Sequence, residues 1–195
     1  IWFGSFGSTN LNTGLLLGVN GNAYKITSTT ANWTNYTFVK ISDNIVDIDD
    51  SGGAGGKLYG YDKALGQLKY VDKNNIAAVS AMTAVGNSGA ILAKLNVRSI
   101  FARNNNVVFT AGLNGDIYRA NNVNSGTASW TDQSNTVIPL ALNDIQAAGA
   151  NTIYAVGSEG SLLQSVNGTD WKTLPTGTVT HFNAIKFNTS NNAPV

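Results

Sequence analysis

One pattern recurs four times along the chain and limits what it can fold into. Leu15-Leu16-Leu17-Gly18-Val19-Asn20-Gly21-Asn22-Ala23-Tyr24 reappears over Val108 to Tyr118, with Gly112 and Gly115, and over Ile153 to Leu163, with Gly157 and Gly160. Each copy is an apolar run, then Gly-x-x-Gly, then an apolar or aromatic residue. A weaker copy runs from Lys57 to Tyr70, with Gly66 as its second glycine. The second glycines stand at 21, 66, 115 and 160, in steps of 45, 49 and 45. Units of that length cannot bury their apolar faces alone, so neighbouring units must cover one another.

Each unit reads as a β-hairpin. Asn20-Gly21 and Asn114-Gly115 are dipeptides that accept positive φ at both central positions of a type I′ turn. The flanking runs are rich in Val, Leu, Ile, Tyr and Phe, which suit strands. A further strand follows in three units, marked by Trp33, Trp130 or Trp171, which stand 12, 15 and 11 residues after the turn glycine. Unit two has no Trp at that place. Another apolar strand precedes each hairpin, over residues 1–6, 45–49, 97–102 and 142–147, and again over 182–187. Four strands in each repeat of about 46 residues predict an all-β propeller with four four-stranded blades and the first strand of a fifth. The units are 1–44, 45–96, 97–141 and 142–181, with a partial one at 182–195. A β-sandwich would not repeat the same hairpin. Ala84 to Leu92 echoes the hairpin half a repeat out of phase, and is read as an outer strand with its exit turn.

A self-contained ring has no use for one strand of a new blade, because closure pairs the terminal strands and removes free edges. The expectation is a piece of a larger propeller, with self-association to close the ring as the other route. The start at Ile1 rather than Met fits a processed or partial chain.

Composition excludes several function classes. The 12 Lys and Arg against 11 Asp and Glu leave a net charge of +1, without the basic stripe that nucleic acid demands. The chain has no cysteine, hence no disulfide, thiolate nucleophile or zinc–thiolate site. No run approaches the roughly 20 apolar residues of a membrane span. With 26 Asn and a single Glu the chain is poor in helix formers, and its 43% hydrophobic content suffices for a core.

Ser165-Val166-Asn167-Gly168-Thr169-Asp170-Trp171 resembles the Asp-box of sialidase-repeat (BNR) and photosystem-assembly-factor-like propellers, with Asn167 in place of the Asp. The turns before Trp33 and Trp130 keep little of that motif beyond the Trp. The resemblance implies that Ser165, Asn167, Gly168 and Trp171 brace a turn at the blade periphery. It implies packing roles for Trp33 and Trp130.

Catalytic sets are wanting. Sialidase-type hydrolysis uses an arginine triad, a Tyr–Glu pair and an Asp acid. Here the arginines are Arg98, Arg103 and Arg119, and the sole glutamate, Glu159, sits in a hairpin turn. Glycosidases need two carboxylates opposed across a sugar bond, which the clustering of Asp47, Asp49 and Asp50 does not supply. His181 stands alone with no Gly-x-Ser-x-Gly elbow. Ser51 to Leu58 imitates a phosphate loop, but Ser51 replaces its first glycine and Leu58 its Ser/Thr. The same acidic stretch starts like a calcium loop and lacks the closing Glu, so no cofactor is expected, a looser calcium site being the one exception entertained.

The expected function is a non-catalytic binding or scaffold propeller, exported or surface-associated, that presents loops to a protein or glycan partner. Arg98, Arg103, Asp47, Asp49 and Asp50 are the candidate ligand-binding residues. The alternatives are carbohydrate binding or hydrolysis, as in sialidase-like proteins, and an assembly factor for a membrane complex. The last would gain from a basic patch around Arg98 and Arg103.

Overall fold

The apolar runs on either side of each turn become paired strands. The computed structural model describes residues 12–28, 34–52, 55–78, 80–87, 96–134 and 139–187. Blade 1 contains β1 (Asn12–Leu17), β2 (Ala23–Ser28) and β3 (Tyr36–Ser42). Blade 2 contains β4 (Ile45–Asp50), β5 (Lys57–Asp62), β6 (Gln67–Asp72) and β7 (Thr83–Ala84). Blade 3 contains β8 (Val97–Asn104), β9 (Val107–Gly112), β10 (Ile117–Asn121) and β11 (Ser129–Asp132). Blade 4 contains β12 (Leu142–Ala147), β13 (Ile153–Gly157), β14 (Leu162–Ser165) and β15 (Lys172–Thr173). Every sheet is an antiparallel meander in chain order, as a propeller blade requires. The strand expected over 1–6 and Trp33 lie outside the described residues.

The core lies between blades. Leu15, Ile41, Ile45, Leu58 and Met82 join blades 1 and 2. Tyr59, Leu68, Val97, Ile100 and Val108 join blades 2 and 3, and Phe109, Ile117, Leu142, Ile145 and Leu163 join blades 3 and 4. A sheet covered on both faces has no polar side to alternate with, which is why all six residues of β9 are buried. Register equates Met82, Trp130 and Trp171, each leading into or lying in the outermost strand of its blade. Met82 thus fills the place where unit two has no Trp.

The Gly-x-x-Gly turns split into two kinds. Leu113 to Asp116 is a type I′ turn, with Asn114 at φ 61° and Gly115 at φ 75°, closed by Asp116 N–H on the Leu113 carbonyl. Ser158 to Ser161 repeats it with Glu159 at φ 53°. Around Asn20-Gly21 only Gly21 is left-handed, at φ 81°. There Asn20 Oδ1 accepts the Asn22 N–H, and that Asx bond holds Asn20 out of the conformation its neighbour adopts.

Residues 182–187 run against blade 4 as an inner strand of a following blade would, without forming a paired strand among the described residues. Phe182 N–H donates to the Gly157 carbonyl, Ile185 N–H donates to Asp144, and the Phe187 ring lies 5.2 Å from that of Tyr154. Ala84 falls in the outer strand β7 and Asn87 in a left-handed turn after it, so the first residues of the out-of-phase echo are outer strand and exit turn. The rest of the echo, 88–92, lies outside the described residues.

Candidate binding surface at the seam of blades 3 and 4

The loop after β14 is built from short polar side chains bonding their own backbone. Ser165 is buried, and its Oγ accepts the Gly168 N–H while donating to Asn167 Oδ1. Asn167 Oδ1 also accepts the N–H groups of Thr169 and Asp170, both at 2.9 Å. Gly168 takes φ 73°, which a side chain would strain. A Cβ at this position would lie 3.3 Å from both Arg103 Nη1 and Phe109 Cζ. The loop tip therefore sits flush against blade 3.

Blade 3 grips that tip. The Gly168 carbonyl accepts hydrogen bonds from Arg119 Nη1 at 3.3 Å and Gln133 Nε2 at 3.0 Å. Trp171 Nε1 donates to Gln133 Oε1 at 3.2 Å, and the indole stands edge-on to Phe109. The Arg119 guanidinium lies 5.9 Å from the Phe109 ring, close enough for cation–π attraction. Arg103 bonds Asn151 Oδ1 across the same seam. Two guanidiniums thus converge on Gly168.

Among the described residues neither has an ion-pair partner. The ion pairs among the described residues are Lys40–Asp43, Lys69–Asp62 and Lys73–Asp50, all made by lysines. The contacts of Arg103 and Arg119 are to neutral amide and carbonyl oxygens. Half-buried guanidiniums with spare N–H donors are suited to a carboxylate, which they take in a charge-assisted and often bidentate manner.

Arg98 and Arg103 do not form one patch. They stand near opposite ends of β8, and Arg98 bonds Asn143 at the far end from the Arg103–Asn151 contact. The partner of Arg103 is Arg119, which is not among the residues the sequence singles out for ligand binding. The signal was in the hairpin register, because Phe109 pairs with Phe101 on one side and with Arg119 on the other. Folding β8, β9 and β10 back on each other brings residues 103 and 119 to one region.

The acidic run is occupied with holding blades together. Asp47 Oδ2 accepts the Ile100 N–H at 2.8 Å, and Asp49 Oδ2 accepts the Ala102 N–H at 2.7 Å. Burial pushes the Asp49 carboxyl up to about 7, with the N–H groups and Lys186 opposing. Asp50 pairs with Lys73 at 2.6 Å. Among the described residues no three His, Cys, Asp or Glu are placed to hold a metal. His181 Nδ1 accepts the Glu159 N–H at 3.1 Å, a contact within blade 4. A shallow groove of about 760 Å³ lies beside it, lined by Pro139, Leu140, Leu174, Pro175 and Val179 among others. Trp130 packs against the core of blades 2 and 3.

Four meandering blades with their cores between them define a β-propeller. That fold is shared with two solved structures. YCF48 bound to D1 peptide is similar over 90% of this chain and 54% of its own, with a TM-score of 0.63 and 13% identity. YCF48 from Cyanidioschyzon merolae is similar over 90% of this chain and 60% of its own, with a TM-score of 0.65 and 15% identity. The chain therefore spans between half and two thirds of the length of these structures, and what it shares with them is the fold. No protein-family model and no curated protein matches the sequence.

Proposed function

We propose that the chain is a non-catalytic propeller that binds a protein partner through a carboxylate-bearing peptide segment at the seam of blades 3 and 4. The observation that carries this reading is the convergence of Arg103 and Arg119 on Gly168 with no carboxylate among the described residues paired to either. Exposed Val166 next to the seam adds an apolar contact of the kind a peptide side chain would cover. A solved propeller of this fold, YCF48, holds a D1 peptide, which supports a peptide as the class of ligand. Of the readings the sequence allowed, the protein-partner one gains from this geometry, the glycan readings gain nothing from it, and the Arg98–Arg103 patch that would favour an assembly factor is not formed.

The test is fluorescence anisotropy with a labelled peptide carrying two Glu and a free C-terminus, set against its Gln, C-amidated counterpart. The acidic peptide is expected to bind and to weaken with salt. Arg103→Ala or Arg119→Ala should cost about tenfold in affinity each, near 1.5 kcal/mol. Arg98→Ala, at the other end of β8, should leave binding unchanged. Equal binding of the two peptides, or an Arg98→Ala effect as large as the others, overturns the assignment.

A further inference from the structure

The inner strands of blades 2, 3 and 4 meet at three side chains. Ser99 Oγ on β8 lies 2.8 Å from Asp47 Oδ2 on β4 and 2.9 Å from Asp144 Oδ1 on β12. A serine hydroxyl has one proton to donate. It satisfies one carboxylate, and towards the other it presents a lone pair. At hydrogen-bond distance, among buried groups, the second contact holds when that carboxyl carries a proton and donates to Ser99. We propose that Asp47, Ser99 and Asp144 hold one shared proton, and that this proton latches blades 2, 3 and 4 together at their inner strands.

Every remaining oxygen contact fits that assignment. Asp47 is the donor to Ser99 Oγ, and Ser99 donates onward to Asp144 Oδ1. Asp47 Oδ1 accepts the N–H of Ile48, and its Oδ2 keeps a lone pair for Ile100 N–H. Asp144 Oδ1 also takes the Ile145 N–H, and Oδ2 takes the Ile185 N–H at 2.8 Å. Each carboxyl thus caps an N–H on the next inner strand while sharing the hydroxyl between them. Burial favours the neutral acid at Asp47 and the Asp144 charge adds to it, while the Ile100 N–H opposes it.

Among the described residues no cation bonds Asp47, Ser99 or Asp144. Asp49, on the same strand, is a second acid. From β8 the contact is Ser99, since Arg98 bonds Asn143 and Arg103 bonds Asn151. The charge of Lys186, on the segment beyond blade 4, acts on Asp49. The β5 tyrosines Tyr59 and Tyr61 couple to Tyr70 and Asp62, and Tyr154 on β13 bonds Gln164. β9 carries no ionisable side chain. Loss of the proton leaves two buried negative charges on one hydroxyl, at the point where both carboxylates hold neighbouring strands.

Carboxyl-carbon NMR of the aspartates in the full chain, titrated from pH 4 to 9, tests the latch. Asp47 should shift at a midpoint above the ordinary carboxylate range, with the Ile100 amide following. Ser99→Thr, which keeps the hydroxyl, should keep the raised Asp47 midpoint, and Ser99→Ala, which removes the acceptor of its proton, should lower it. In an Asp49→Asn background, the folding equilibrium constant should fall by up to about tenfold per pH unit as pH rises from the unfolded Asp value to that midpoint. Asp47 ionised at pH 5 in the unsubstituted chain, or a midpoint that Ser99→Ala leaves unmoved, would overturn the proposal. That result would leave the arginine seam untouched, and failure of peptide binding would leave the latch untouched.

Discussion

Asp49 shows how one buried side chain ties stability to pH. Its carboxyl is raised from 3.8 to about 7 by burial, so the fold favours the protonated form more than the unfolded chain does. The associated stability is fully present below about pH 4 and is lost as pH climbs to about 7. Asp49→Asn keeps an oxygen for the Ala102 N–H and removes the charge. It should raise stability by about 1–2 kcal/mol at pH 8, and by less at pH 5, in denaturant titrations at the two values. Glu159 is a second local case, a β-carbon-bearing residue at φ 53° in a turn whose sibling uses Asn114. Glu159→Asn should stabilise by about 0.5–1 kcal/mol, read as a higher unfolding midpoint, because Asn tolerates the left-handed region better.

The loop from Ser165 to Trp171 is the element where sequence and geometry diverge most usefully. The motif it resembles has Asp where this chain has Asn167. Asn167 Oδ1 receives three hydrogen bonds, as a carboxylate oxygen could, but its Nδ2 also donates to Asp170 Oδ2 at 2.6 Å. Asn167→Asp would set two carboxylates face to face and should destabilise by about 1 kcal/mol at neutral pH. Adding Asp170→Asn restores a donor and should recover most of that loss. A double-mutant cycle by thermal denaturation measures the coupling. Retained stability in the single variant would show that Asp170 turns away without cost.

At the scale of the molecule, blades are joined by buried apolar clusters and by single polar residues reaching across seams. Asn105, at the tip of the β8–β9 hairpin, plugs into blade 2. Its Oδ1 accepts from Ser51 Oγ and the Lys57 N–H, its Nδ2 donates to the Gly55 carbonyl, and its own carbonyl accepts from Tyr59 Oη. Asn105→Ala removes one acceptor each from Ser51 Oγ and the Lys57 N–H, which keep their bonds to each other, and removes the donor to the Gly55 carbonyl. It should cost about 2–3 kcal/mol and loosen the seam of blades 2 and 3 first. Hydrogen exchange should show the loss at the β5 and β8 amides before those of blade 4. Uniform loss across all blades would mean that the arc unfolds as one unit.

The blades were legible in the sequence because a repeated unit announces its own period, and strand pairing within a unit is local. The runs at 45–49, 97–102 and 142–147 became β4, β8 and β12 with changes of a residue or two at their ends. The Met82 equivalence was not legible, since the connection before β7 holds a 3-10 turn over Lys73–Ala78 and shifts the spacing. The candidate surface was legible only in half. Arg103 stood out as one of few cations, whereas its union with Arg119, its separation from Arg98 and the meeting of Asp47, Ser99 and Asp144 depend on neighbouring blades. Sequence by itself determined the repeat, the all-β class and the lack of cysteine chemistry, because each follows from residue types and their spacing along one strand or turn. Tertiary structure alone decided which charges meet across a seam and which acids are buried, because those contacts join residues about one repeat apart whose approach is set by blade packing.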